Sequence, residues 1–461
     1  MNASTNSLPD YALPAPDSAR RALARAWLWL GLLSLIGSGA FSVLLVLSRT
    51  PVLQNLFPVA DFFHVALVAH VDLSVLVWFI AIAGMLWSIN SSTQAMSWGW
   101  LALWGCALGV ALMSLAPFIG HGEPIMANYI PVLNDPVFIS GLLVFGAGFA
   151  ALVLRSLVLA PVLGVSFNGG GALRFGLNAA TVSAAVAILA FAWSYVAVPT
   201  SLGGKAYYEI LFWGGGHALQ FTWTLLMLVA WIWLTSACGA RVPLSPRVAL
   251  LMFLLALICV FVTPYAYLAY DVASVEHRSL LTWAMRFGGG LAILPMSLAV
   301  LVVLRPAPHM REDARPLRMA LMSSVVLFAV GGIIGIFISG NNVMIPAHYH
   351  GSIVGVTLAL MGLVYHLLPQ LGYAAPAGRL ATWQPVLYGA GQLMHITGLV
   401  WSGGYGVQRK VAGAEQVLRT SGEIAGMGLM GLGGLIAIIG GVLFVVVVIR
   451  AVRDGNRASG R

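Results

Sequence analysis

Ile345-Pro346-Ala347-His348-Tyr349-His350-Gly351-Ser352-Ile353-Val354-Gly355 opens an apolar run that continues to about Leu371. In an α-helix each residue advances by about 100°, so positions two apart project to nearly opposite sides. A His-x-His pair placed this way does not share one metal. It serves two sites flanking one helix, or else lines a pore and packs against neighbouring helices.

The run sits in a chain that is almost everywhere apolar. The 461 residues are 60% hydrophobic and 8% charged, with a mean hydropathy of +0.93. That excludes a soluble domain and predicts an all-α, polytopic membrane protein. Stretches of about 20 apolar residues can cross a bilayer. Twelve are present, roughly 24–48, 62–88, 96–118, 132–160, 174–198, 209–235, 246–270, 279–303, 318–338, 344–372, 382–402 and 424–450. Short connections join them, so residues 24–450 read as one integral domain between a mobile polar tail, 1–23, and a tail at 451–461.

Lys and Arg collect on the cytoplasmic side of membrane proteins. With the N-terminus inside, sixteen of the 23 fall in the cytoplasm and six outside: Arg49, Lys205, Arg278, Arg409, Lys410 and Arg419. Arg286 lies within the eighth span. Both termini are therefore expected in the cytoplasm. The net charge of +9 is mostly this bias, and nucleic acid is not an expected partner. Cys106, Cys238 and Cys259 lie in or beside apolar spans without CxxC spacing, so neither a disulfide framework nor a zinc site is expected.

Other histidines lie at similar depth. Span two reads His64-Val65-Ala66-Leu67-Val68-Ala69-His70-Val71-Asp72, which puts His70 about 12 Å from the outer end and leaves His64 near the surface. Ionisable groups that deep usually face a cavity or a partner. Asp72 is expected to bind a Ser or Trp of an adjacent helix. Span six reads Trp213-Gly214-Gly215-Gly216-His217, and His217 again comes about 12 Å in. Three glycines in a row weaken a helix, so something needs the room. Either a bulky planar group lies against Gly214, Gly215 and Gly216, or a neighbouring helix packs closely there. His70, His217, His348 and His350 all occupy spans that enter from outside and form a layer. Imidazole is a natural axial ligand of heme iron, and two hemes flanking one helix would account for that layer. His395 on span eleven and His366 near the inner end of span ten fall outside it and are read as structural.

The twelve spans, deep histidine on span two, Trp-Gly-x-Gly-His on span six and Pro-x-His-Tyr-His on span ten together resemble catalytic subunit I of heme-copper oxidases and nitric oxide reductases. The resemblance covers nearly the whole chain. It implies that His70 and His350 clamp a low-spin heme, that His348 binds a high-spin heme, and that His217 belongs to a copper or non-heme iron beside it. It also implies that Arg409 and Lys410, in Gln408-Arg409-Lys410, meet heme propionates; ordinary loop charges are the other reading. Two b-type hemes, a cytochrome c, cupredoxin-like or quinol electron donor, a second redox subunit, a diatomic ligand, surrounding membrane lipid and a bacterial inner membrane are implied likewise.

The chain departs from that pattern at the second metal. Val262-Thr263-Pro264-Tyr265-Ala266-Tyr267-Leu268-Ala269-Tyr270-Asp271 holds no histidine pair where the family has two adjacent ones. Copper usually draws several nitrogen or sulfur ligands, so a normal copper site is not expected. Gln220, Tyr267, Asp271 or Glu276-His277 could substitute, and Tyr267 joins His217 as a candidate catalytic residue. No deep glutamate accompanies His217. Acids are scarce in the inner halves of the spans, so proton pumping is not expected, whereas Glu123, Glu209, Asp271 and Glu276 cluster outside, with His121 in the same outer region. The sequence thus points to a diheme oxidoreductase reducing O2 or NO. It leaves open a diheme relay or gas sensor, and a twelve-helix transporter without heme.

Overall fold

The computed structural model describes residues 11–51, 60–119, 122–160, 167–240, 242–301, 312–411 and 416–459. His121, Arg241, Arg305, Arg311 and Arg461 lie outside them. Among the described residues twelve long helices follow one another: α1 (Ser18–Arg49), α2 (Phe62–Ile89), α3 (Met96–Ile119), α4 (Pro136–Val158), α5 (Gly169–Ala197) and α6 (Gly204–Ala237), then α7 (Pro246–Ala269), α8 (Val275–Leu301), α9 (Arg315–Ile336), α10 (Met344–Leu367), α11 (Gly378–Gly404) and α12 (Ser421–Ser459). Sequential pairs pack side by side, most extensively α11 on α12, α3 on α4, α9 on α10 and α5 on α6. The α6 helix is the hub, with nearly all of its apolar stretch buried.

Eleven of these helices, among the described residues, are both long and apolar enough to cross a membrane. The twelfth, α11, is long enough but carries Gln384, Gln392 and His395 buried along it.

Local breaks follow local chemistry. The α7 helix is interrupted at Phe261 because Pro264 has no N–H to give the Val260 carbonyl. Directly after His70, α2 loosens into a π-helix over Asp72–Val77, the kind of bulge that collects at functional sites. Between α3 and α4 a hairpin pairs β1 (Glu123–Ile125) with β2 (Val132–Asn134), Glu123 opposite Asn134. Asp135 then caps α4, accepting from the Val137 and Phe138 amides at 2.9 and 3.2 Å.

Residues 11–23, expected to belong to a mobile tail, are packed against the helices. Asp17 caps α1 at Ser18, and Tyr11 is fully buried, its amide on Ser236 Oγ at 3.1 Å and its hydroxyl on the Leu244 carbonyl at 2.8 Å. Removal from water pushes that phenol up to about 12. At the other terminus α12 runs past 450, because the Ala374 amide bonds to Ala451 and Gly455 lets Tyr373 approach.

Candidate heme-binding cavity

A cavity of about 800 Å³ opens between α1, α2, α10, α11 and α12, and its walls are mostly apolar. That volume lies in the range of sites that bury a cofactor. His70 from α2 and His350 from α10 both line it, while His348 does not. The two-residue offset on α10 does send the imidazoles to different sides.

Ser38 holds the His70 ring from its Nδ1 side: Nδ1 lies 3.1 Å from the Ser38 carbonyl oxygen and 2.9 Å from Ser38 Oγ, and with the proton on Nδ1 donated to the carbonyl, Nε2 keeps its lone pair. Ser38 Oγ in turn donates to the His70 carbonyl at 3.2 Å. On the other side of α10, His348 Nδ1 donates to the Gly331 carbonyl of α9 at 2.7 Å, a contact that needs Gly335, since a Cβ there would lie 2.7 Å from the ring. A carbonyl on the far nitrogen is how metal-binding imidazoles are commonly oriented.

One end of the cavity is cationic. Arg49, Arg409 and Lys410 all line it. Arg409 donates to Asn341 Oδ1 at 2.6 Å and Asn128 Oδ1 at 3.3 Å, and Arg49 to Gln416 Oε1 at 3.1 Å. Lys410 Nζ donates to the Met126 carbonyl at 2.7 Å. The Lys410 backbone is left-handed, with φ of 60°, a conformation costing a non-glycine residue about 1–2 kcal/mol, and the Arg409–Lys410 loop is tied to the start of α10 by Val343 N on the Val407 carbonyl at 3.0 Å. Burial lowers the Lys410 ammonium to about 8, with Arg409 and Lys205 adding to the effect and Glu209 opposing it. A carboxylate partner would relieve that cost. His64 is not part of the set; its Nε2 bonds to the Lys410 carbonyl at 2.9 Å.

Three features of this site escaped the sequence. The hairpin turn between β1 and β2 roofs the cavity, with Met126 to Pro131 all in its wall. Asn128 there bonds to Glu209 at 2.9 Å as well as to Arg409. Arg49, in the sequence only one more charge on the outer side, joins Arg409 and Lys410 at the cationic end. His395, expected to be structural and outside the histidine layer, lines the same cavity as His70 and His350. Its ring lies 4.7 Å from that of His350. Only the spacing of Gln392 and His395, three apart on one helical face, could have signalled it.

Around His217 the structure differs from expectation. The room over Gly214, Gly215 and Gly216 is filled by aromatic side chains of the chain itself, Tyr267, Phe191 and Tyr129 respectively. Gly216 alone of the three also borders the cavity. His217 Nδ1 donates to the Trp213 carbonyl at 2.8 Å, so Nε2 accepts from the Tyr129 hydroxyl at 3.1 Å. Tyr267, one turn away against Gly214, hydrogen-bonds Ser194 Oγ at 2.6 Å and packs on His277, ring centres 4.7 Å apart. His277 is 1% exposed, and neither ring nitrogen has a partner among the described residues. Among those residues no three His, Cys, Asp or Glu side chains gather as a metal site would require. Among the described residues, one imidazole whose Nε2 is taken by the Tyr129 hydroxyl does not make a donor set that fits a copper or non-heme iron.

Asp72 is buried, yet neither carboxylate oxygen has a partner among the described residues, so the expected Ser or Trp contact is not made. Arg286 is exposed beside the Phe287 ring. Glu276 and Asp271 are exposed.

Residues 22–446 match the family of cytochrome c and quinol oxidase polypeptide I. An uncharacterized protein of Rickettsia prowazekii (strain Madrid E) is 29% identical over 93% of this chain and 96% of its own length. An uncharacterized protein of Aquifex aeolicus (strain VF5) is 29% identical over 78% of this chain and 88% of its own. A heme-copper terminal oxidase solved as a dimer by cryo-electron microscopy shares the fold, with a TM-score of 0.73 at 17% identity over 95% of this chain and 84% of that one.

Proposed function

The chain belongs to the cytochrome c and quinol oxidase polypeptide I family, and as a heme-containing, multi-pass respiratory oxidoreductase we propose that it holds two hemes, on His70 with His350 and on His348. Electrons would come from a cytochrome c, a cupredoxin-like subunit or a quinol, and O2 or NO would be the diatomic reduced. A bacterial inner membrane with both termini in the cytoplasm fits the arginine distribution.

One observation carries the reading: a cavity with an imidazole from α2 and one from α10 in its walls ends in three cations, Arg49, Arg409 and Lys410. A b-type heme would fit this complement: His70 and His350 would hold its iron, and Arg49, Arg409 and Lys410 would meet its two carboxylates. When bound, the hemes supply one-electron transfer and a place for a diatomic ligand. The chain's own work is to present His70 Nε2 through the Ser38 carbonyl, to present His348 through Gly331, to keep water out with apolar walls and to neutralise the carboxylates. Asn128 donates to Glu209, and the next residue, Tyr129, donates its hydroxyl to His217 Nε2.

A reduced-minus-oxidised spectrum with pyridine hemochrome quantitation tests this. Two b-type hemes per chain are expected; a protein without heme bands would refute the reading and return the chain to the transporter class. The Tyr129–His217 pairing favours a second reading, a diheme relay or gas-binding protein without turnover. In that case CO shifts the reduced spectrum while O2 and NO consumption stays at the background rate.

A further inference from the structure

The cavity holds one more imidazole than a bis-histidine heme needs, and it is seated with care. His395 projects from α11 where α11 and α12 touch backbone to backbone. Gly433 lies against the His395 amide so closely that a Cβ has no room, and a Cβ on Gly434 would come within 3.2 Å of the ring. The ring is 8% exposed and donates from Nδ1 to the Met430 carbonyl at 2.9 Å, leaving Nε2 as the free nitrogen of a side chain that lines the cavity. This is the arrangement found at His70 and His348. His350 is placed differently, its ring lying against His395 at 4.7 Å between centres and 59° between planes. One turn before His395, Gln392 lines the same wall, its side chain against His350. A purely structural histidine would use both nitrogens or turn away from an apolar cavity, since leaving a buried polar atom unmade is costly.

We propose that His395 is a second donor for the axial position opposite His70, so that the iron is held by His70 on one face and by either His350 or His395 on the other. The exchange breaks one iron–nitrogen bond and forms another, with no change in electron count and no proton released, because His395 Nδ1 keeps its hydrogen on Met430. The inference rests on the heme reading of the same cavity.

Low-temperature electron paramagnetic resonance of the oxidised protein in detergent tests it, in the parent, His395→Ala, His350→Ala and the double variant. The parent is expected to show two low-spin ferric signals and His395→Ala only one. His350→Ala should retain a low-spin signal with shifted g-values, and the double variant should lose it. Superimposable low-spin signals in the parent and His395→Ala overturn the proposal. So does a His350→Ala protein as devoid of low-spin heme as the double variant. If His350→Ala fails to fold, which gel filtration reports, the comparison of the parent with His395→Ala still decides. A parent without any heme signal would instead refute the proposed function.

Discussion

Replacing Lys410 with Gln tests the cationic end of the cavity through its pH dependence. In the protein without heme, burial holds the ammonium at about 8. A hydrogen bond to a charged group contributes about 1.5–3 kcal/mol, and 1.36 kcal/mol corresponds to one pKa unit. A heme carboxylate on Nζ would therefore raise the folded-state pKa by about 1–2 units, to about 9–10. The sign follows directly: the protonated lysine holds the anion, so retention is fullest below pH 8 and is lost as pH rises. Heme affinity should be flat up to about pH 8, fall about tenfold per unit to about 9–10, and then level off about 10- to 150-fold weaker. Lys410→Gln should remove the bend and sit at the weaker level throughout, whereas Arg409→Gln should weaken binding but keep the bend, because guanidinium does not titrate in this range. Heme transfer to an excess soluble acceptor, followed at the Soret band from pH 7 to 10, measures it. A flat parent profile, or a bend that survives in Lys410→Gln, would refute the reasoning.

Gly433→Val forces a side chain into the His395 backbone and should lower thermal stability by about 1–3 kcal/mol or more, with a change in the low-spin spectrum; an unchanged melting curve would count against the close α11–α12 contact. Tyr129→Phe leaves His217 Nε2 without its donor, a loss of about 1–3 kcal/mol, and inductively coupled plasma analysis should find no transition metal taken up in exchange. Asp72→Asn breaks no hydrogen bond among the described residues, so its melting temperature should equal or exceed that of the parent. A drop larger than about 1 kcal/mol would reveal a partner for the carboxylate.

What the residues alone disclose depends on the range of the interaction. The twelve helices follow from apolar runs, and the opposite facing of His348 and His350 follows from helical geometry, so both could be read directly. The fate of Gly214, Gly215 and Gly216 could not. Small residues announce a close approach without saying whether a cofactor or an aromatic ring makes it, and Tyr129, Phe191 and Tyr267 arrive from three separate parts of the chain. The roof of the cavity was hidden for a similar reason. Met126 to Pro131 carries no motif, and its role appears only when the hairpin folds over Lys410 and His217.

The case of α11 shows why the least membrane-like helix can matter most. A helix is recognised as a span by its apolarity, and Gln384, Gln392 and His395 reduce that of α11 until it falls short of the other eleven. Buried polar groups in a bilayer are expensive and must face a partner or a cavity. Two of these three line the cavity with His70 and His350, and the third, Gln384, is satisfied by Tyr365 of α10 and the Gly440 carbonyl of α12. The polarity that weakens α11 as a span is the same polarity that makes it a wall of this cavity. Its membrane position is then secured by backbone contact with α12 through Gly391, Gly398 and Gly433, where neighbouring main chain occupies the space a Cβ would need.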